Sequence, residues 1–487
     1  MSCRRCLFLG IAGLLCLSAL ARAQDASSQA AGGTTPSQSV GTPGSSGASS
    51  NSQLQPDTHP LAGAYLYTLG SAFEGRSYFE PLFSLSEVGE SNPLYIANAK
   101  QTFSASTIPM AQLLLVHQSK TNEIEAGYVG GAFIYDNGIA PTATFHEFNV
   151  TDVKQFRRLQ VSLSDIFSYL PEASFGFGGA GVFGGLGMGT GISGGLGSGI
   201  PGGLGLGVGA GLVNPMYSPN QSILTSQFGS YNNATIVQAV YRATARTEIS
   251  VGGSYGMLQS GSSQAGFISG NNAMGFLGVQ RSLTARDTLG LMYDYGTFNY
   301  VGLPESFRTQ MLSLAYGRKI TGRLALQLYG GPELLTYRTS LLSSFTRVAA
   351  SGTGDLTYAF RRDTLGLFVS HYATGGSGVI AGTNTTMVSG SWTRQLTQRW
   401  SGTVYGGLAR NTPLATSSVP SAGQYTSWFS NAILNRDMGR YLSLYVGYEY
   451  ERQTTNSGPC TSAFCAGNLA TQIIGVGITF KPHPIGL

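Results

Sequence analysis

Across residues 306–338, apolar and polar positions alternate with a period of two on both sides of a short turn. Leu312, Leu314 and Tyr316 alternate with Ser313, Ala315 and Gly317. Past a polar turn at 319–323, Leu324, Leu326 and Leu328 alternate with Ala325, Gln327 and Tyr329. Two such arms predict a β-hairpin with one apolar face. The other face is small and polar, which does not suit a dry sandwich core. An apolar exterior around a polar, glycine-rich interior is the pattern of a transmembrane barrel.

The rest of the chain repeats this plan. Tight polar turns fall near 120–122, 155–158, 244–247, 284–287, 319–323, 361–363, 397–399 and 436–440, with longer Gly/Ser/Asn/Pro-rich loops between them. These eight turns join sixteen strands, and residues 469–480 add one more. An even number requires another, supplied by 76–88 with Tyr78, Leu82 and Leu85, although Pro81 is awkward in a paired strand. The expected fold is therefore an all-β, antiparallel up-and-down transmembrane barrel of about 18 strands, with short periplasmic turns and long outer loops. The faces stay in phase along single arms, as with Leu289, Leu291, Tyr293 and Tyr295, or Leu442, Leu444, Val446, Tyr448 and Tyr450. Asp165 breaks the rule by sharing a face with Leu159, Val161 and Leu163. A bulge, or a strand top beyond the apolar band, would account for it.

Composition supports the same reading. Only 10% of residues are charged, while glycine reaches 69 residues and aromatics 11%. After the N-terminus no run of about 18 apolar residues exists to make a spanning helix. A closed barrel satisfies its backbone without one. Residues 1–23 read as a secretory signal: Arg4 and Arg5, an apolar stretch, then Ala21-Arg22-Ala23 as the cleavage site. Residues 24–60 form a Ser/Gly-rich lead without the material for a core. Residues 61–75 are a short apolar periplasmic segment, 76–482 the barrel, and 483–487 a tail. Removing the signal takes three arginines and no acid, so the formal charge falls from +5 to +2, which argues against nucleic acid as a partner. Cys460 and Cys465 are then the only cysteines left in an exported chain, and a disulfide is the expected outcome.

Catalytic signals are weak. Gly189–Gly194 fits G-x-G-x-x-G, but 19 of the 37 residues in 176–212 are glycine and no strand–turn–helix surrounds the match. The G-x-S-x-G matches at 191–195 and 252–256 lie in that same run and inside a strand, neither of which makes a nucleophile elbow. No Ser or Asp pairs by spacing with His117, His146 or His371. No cofactor, metal or catalytic residue is expected, and an outer-membrane hydrolase ranks third among the readings. Strand parity points Glu125, Asp294, Glu333, Asp355, Glu449 and Glu451 into the lumen, with Arg347 on the same parity. Arg308, Arg338, Arg410 and Arg452 fall on the lipid face near the outer ends, at the level of lipopolysaccharide phosphates. Tyr316 with Arg318, Phe360 with Arg362, and Trp392 with Arg394 read as an interfacial girdle at the turn end. The insert at 173–226 is uncharged and rich in Leu, Ile, Val and Phe. It reads as a loop folded into the lumen or as an extra hairpin that makes twenty strands.

The last arm, Ile474, Val476, Ile478 and Phe480 at alternate positions, resembles the C-terminal assembly signal of outer-membrane barrels, although residues 481–487 extend past Phe480. That resemblance implies insertion by the outer-membrane barrel insertion machinery. Over roughly 61–482 the chain resembles the large outer-membrane β-barrel proteins of the acidobacterial type. The stretches 70–81 (GSAFEGRSYFEP), 167–178 (FSYLPEASFGFG), 319–328 (KITGRLALQL) and 374–379 (TGGSGV) carry the likeness. It implies the barrel and its location, and no ligand or catalytic residue. The expected function is a porin-like passive channel for small polar solutes in the bacterial outer membrane; the alternative is a non-conducting surface or scaffold barrel.

Overall fold

The computed structural model describes residues 77–93, 103–136, 138, 142–170, 223, 229–260, 268–303, 305–338, 344–376, 378, 380–414, 423–456 and 467–487. The expected signal, lead, segment 61–75 and Cys460–Cys465 pair lie outside these residues. So does the 173–226 insert, apart from Ile223.

Alternating sequence gives long strands joined as neighbours. The first six are β1 (Tyr78–Glu90), β2 (Ser104–Gln118), β3 (Asn122–Tyr135), β4 (Ala143–Gln155), β5 (Leu159–Leu170) and β6 (Ser230–Thr244). The next six are β7 (Thr247–Ser260), β8 (Gly270–Ser282), β9 (Asp287–Tyr300), β10 (Ser306–Lys319), β11 (Leu324–Arg338) and β12 (Phe345–Ala359). Then follow β13 (Asp363–Thr374), β14 (Thr383–Gln395), β15 (Trp400–Pro413), β16 (Tyr425–Asp437), β17 (Leu442–Thr455) and β18 (Leu469–Phe480). Each pairs antiparallel with its sequence neighbours, and β1 pairs with β18, from Phe83↔Phe480 to Glu90↔Ile473. Among the described residues this is a closed, eighteen-strand, up-and-down barrel. A two-residue β19 (Ile485–Gly486) pairs with Phe79 and Tyr78 below that closure.

One parity faces out. On β9, Leu289, Leu291, Tyr293 and Tyr295 are exposed while Thr288, Gly290, Met292 and Asp294 are buried. On β18, Ile474, Val476, Ile478 and Phe480 are exposed, each about half. Large apolar side chains facing outward belong in lipid, and the closed ladder leaves no backbone edge there.

Three mid-strand prolines fit the ladder for a shared reason. Pro109 pairs with Leu85 of β1, but the β2–β3 register skips it. Pro332 pairs with Ala350 of β12, while the β10–β11 register skips it. Pro81 pairs with Leu113 of β2 and lies between the β19 and β18 partners of β1. Each proline keeps a ladder on one side and faces a gap on the other, which its missing N–H demands. Beside Pro332, a Cβ on Gly331 would stand 1.9 Å from the Leu312 carbonyl oxygen, so only glycine fits this close approach.

Asp165 is on the outward parity of β5, yet no bulge puts it there, because the β5–β6 register is unbroken. Instead Thr235 Oγ1 and Asn233 Nδ2 of β6 donate to its two carboxyl oxygens.

Four turns share a Thr-x-Arg device. The hydroxyl of Thr284 accepts from the backbone N–H of Arg286 and Asp287, each at 3.0 Å. Thr321 accepts likewise from Arg323 and Leu324, and Thr397 from Arg399 and Trp400. Thr244 accepts from Arg246. These side-chain turns close three of the hairpins with Ala245, Ala285 or Gln398 at the centre and the fourth with Gly322.

Candidate functional site

The inner wall carries two acidic patches, each built by cross-strand register. In the first, Met311 of β10 lies opposite Asp294 of β9 and Glu333 of β11, so the two acids flank it in one row. The Tyr329 hydroxyl donates to Asp294, and Ser351 Oγ donates to Glu333. In the second, Asn431 Nδ2 donates to Glu449 at 3.2 Å, and Thr471 Oγ1 donates to Glu90 at 3.4 Å. Glu451 is two residues along β17 on the same face. Glu125 and Asp355 also take inward parity, half-buried, and Thr357 Oγ1 donates to Asp355 at 3.0 Å. Arg347 shares that parity but is exposed near the loop end of β12. The inward acids that the sequence reading missed include Glu90, Glu123 and Glu248. For Glu90, in the second patch, parity with Ser84 and Ser86 was the available signal.

These groups are shielded. Asp294 and Glu333 are 1% exposed, and Glu449 and Glu451 2%. Their neighbours Asn411, Gln453 and Thr471 are 0% exposed. The polar wall at this level is therefore covered.

The loop half of the wall between β8 and β13 is apolar, which the expectation of a small, polar interior did not include. Met274, Phe276, Phe298, Phe307, Met311 and Tyr372 are buried in one cluster. The reason is a loop. Residues 375–382, between β13 and β14, turn inward and use this wall as a bed. The Tyr300 hydroxyl donates to the Gly375 carbonyl at 3.2 Å, and the Tyr337 hydroxyl donates to Ala381 O at 3.3 Å. Ile268 N–H, just before β8, donates to Gly378 O at 2.8 Å. Phe298 and Phe307 stack at 4.2 Å beneath it. Gly376 has φ +83°, and a Cβ there would meet the Ile380 carbonyl oxygen at 1.8 Å. The turn within this loop thus requires glycine.

Ile223, the described residue of the insert, is 1% exposed and packs with Ile380 of the inward loop and Tyr425 of β16. It lies seven residues before β6 and reaches a strand ten positions further along the barrel.

At the turn end, Tyr316 Oη donates to Asp287 at 3.0 Å while Arg318 lies 3.6 Å from the same carboxylate. Trp392 Nε1 donates to Asp363 at 3.0 Å, and Arg394 lies 3.5 Å away. In both cases an aromatic and an arginine on a descending strand hold an aspartate that opens the ascending strand. Phe360 and Arg362 occupy the turn itself. The four arginines Arg308, Arg338, Arg410 and Arg452 are exposed near the loop ends of β10, β11, β15 and β17.

The three candidate histidines take outward parity. His117 bonds to Ser77, His146 to the Tyr128 hydroxyl, and His371 to Thr386 and Asn384. Ser254 faces inward from the middle of β7. Ser77 is the serine these histidines touch, whereas Ser254, the serine of the G-x-S-x-G match, lies on the opposite face from all three. Among the described residues no cluster of metal-ligating side chains forms.

A closed ladder that is apolar outside and polar inside defines a membrane-spanning β-barrel. No family model and no curated protein matches the chain. Solved structures similar to it include the outer membrane protein OpdK of Pseudomonas aeruginosa, 10% identical with a TM-score of 0.42, the match covering 83% of this chain and 99% of that one. OprD of the same organism is 9% identical with a TM-score of 0.41, over 88% of this chain and 100% of its own. OccAB4 of Acinetobacter baumannii is 10% identical with a TM-score of 0.41, over 84% and 99%.

Proposed function

We propose that the chain is a porin-like passive channel for small polar solutes in the bacterial outer membrane, exported by its 1–23 signal. The observation that carries this reading is the acid-bearing inner wall of a closed eighteen-strand barrel, with loop 375–382 folded across its outer mouth. A barrel of this strand number encloses an aqueous bore unless something fills it. The acids favour cations and solutes that donate hydrogen bonds, while the inward loop and the 173–226 insert set the width. No catalytic role is assigned: the candidate histidines face outward, bonded to neighbouring side chains. Lipopolysaccharide at the four outer arginines and the barrel insertion machinery, engaged through the Phe480 arm, are the proposed partners in the envelope.

A second reading is a non-conducting surface or scaffold barrel. The near-zero exposure of Asn411, Gln453 and Thr471 favours it. Single-channel recording in a planar bilayer separates the two. Stepwise, ohmic conductance is the expected result for a channel; a silent bilayer with folded protein incorporated would establish the scaffold.

A further inference from the structure

Between the strand ends, every one of the eight tight connections carries a cation and none carries an acid. Lys120, Arg246, Arg286, Arg323, Arg399 and Arg440 each occupy one turn. The β4–β5 turn holds Arg157 and Arg158, and the β12–β13 turn holds Arg361 and Arg362. All ten side chains belong to exposed residues. The acids close by are on strand ends: Asp287 faces Arg318, Asp363 faces Arg394 and Glu248 faces Arg242, while Asp437 lies opposite Ser443. None of the ten turn cations forms an ion pair among the described residues. Four are placed alike by the Thr-x-Arg device.

The same turns expose large apolar side chains. Phe156, Leu283, Ile320, Phe360, Leu396 and Met438 are all between 39% and 53% exposed. In each case an arginine follows within three residues. The barrel rim is thus a ring of apolar side chains edged by a ring of unpaired cations.

We propose that this rim binds the headgroups of anionic phospholipids in the periplasmic leaflet. Side chains such as Leu283 and Phe360 reach the acyl–headgroup boundary, and the long arginines beside them reach phosphate. The distribution selects the partner. A protein or a wall polymer docks on one sector of a rim, whereas the cations run through all eight turns and the apolar side chains through six, and a lipid leaflet surrounds the barrel. The proposal needs only that the turns face the periplasm, and holds whether or not the barrel conducts.

The test is native mass spectrometry of the full-length mature barrel in neutral detergent with equal amounts of phosphatidylglycerol and phosphatidylcholine. The wild type retains phosphatidylglycerol preferentially, and the preference fades with added salt. A variant carrying Arg157→Gln, Arg158→Gln, Arg361→Gln and Arg362→Gln loses the preference by about tenfold or more, since each surface cation contributes roughly fivefold at low salt. The corresponding Arg→Lys variant keeps it, and so does a variant with Gln at Arg308, Arg338, Arg410 and Arg452. Heat-dependent gel migration checks that each is folded. Should the turn variant not fold, the wild-type salt series and the outer-rim variant still decide. Equal retention of both lipids by the wild type overturns the proposal. So does loss of preference in the outer-rim variant alone, or turn-dependent sedimentation with purified anionic wall polymer in place of lipid selectivity.

Discussion

Gly376→Val tests whether loop 375–382 narrows the barrel. Beyond the Leu414 N–H bond to Gly382 O at its end, three hydrogen bonds hold the loop to the wall, from Tyr300, the Ile268 N–H and Tyr337, whose hydroxyl also donates to Glu305. At about 1 kcal/mol net for each, they contribute about 3 kcal/mol. Burial of the Ile380 side chain adds about 2 kcal/mol. Against this, a residue with a Cβ at φ +83° costs roughly 1–2 kcal/mol, and a β-branched one more. The new Cβ would also collide with the Ile380 carbonyl at 1.8 Å, so the turn must open. Opening it gives up the Ile380 N–H bond to Gly376 O and lifts Ile380 from its site. The two sides are comparable, so the loop should leave the wall for a large share of the time. The twelve register pairs between β13 and β14 are untouched, and the barrel should keep its thermal midpoint. In single-channel recordings the variant should show larger steps than the wild type, with Gly376→Ala between them. An unchanged step size in Gly376→Val, together with altered protease sensitivity of the loop, would show that the loop moves without gating the bore and refute the argument.

Replacing residues 173–226 with a short Gly/Ser turn should raise conductance further and reveal a cation preference that fades as salt screens the wall; unchanged conductance in folded protein would place the insert outside the bore. Asp294→Asn combined with Glu449→Gln and Glu451→Gln should shift the reversal potential in a salt gradient toward anions, and an unmoved potential would remove the acids from the permeation path. Mass spectrometry of protein isolated from cells should find Cys460 joined to Cys465, with reduction costing at most about 2–3 kcal/mol because the loop is small; two free thiols would rule the bridge out.

The barrel was legible because its information is local. Period-two alternation and polar turns occur within single hairpins, and the register confirms neighbour pairing throughout. Two features depended on contacts distant in sequence and were not legible. The apolar inner bed of Phe298, Phe307 and Met311 makes sense only once loop 375–382 lies on it. In the β10 pattern Phe307 and Met311 look like irregularities above the small residues Ser313, Ala315 and Gly317, as Phe298 does on β9. The TGGSGV stretch stood out in the sequence, but nothing in its neighbours tells that it folds inward. The aspartate partners of the girdle were within reach: Arg318 pairs in register with Asp287, and Arg394 with Asp363, one strand earlier in each case. Extending the parity argument across the hairpin would have found both.

The closure between β1 and β18 differs in kind from every other junction in the wall. The other seventeen form between consecutive segments, so each can be made as soon as its two arms exist. This one joins Glu90 to Thr471, 381 residues apart, and Lys481 to Glu80 at 2.6 Å beneath it. Until the last arm arrives, β1 and the growing end are two bare strand edges, each a template for pairing with a foreign chain. Loop-closure entropy opposes their meeting, and high contact order makes it slow. The sheet is therefore open and exposed at two edges until its final strand is made, and the short β19 then extends the closure down to Tyr78.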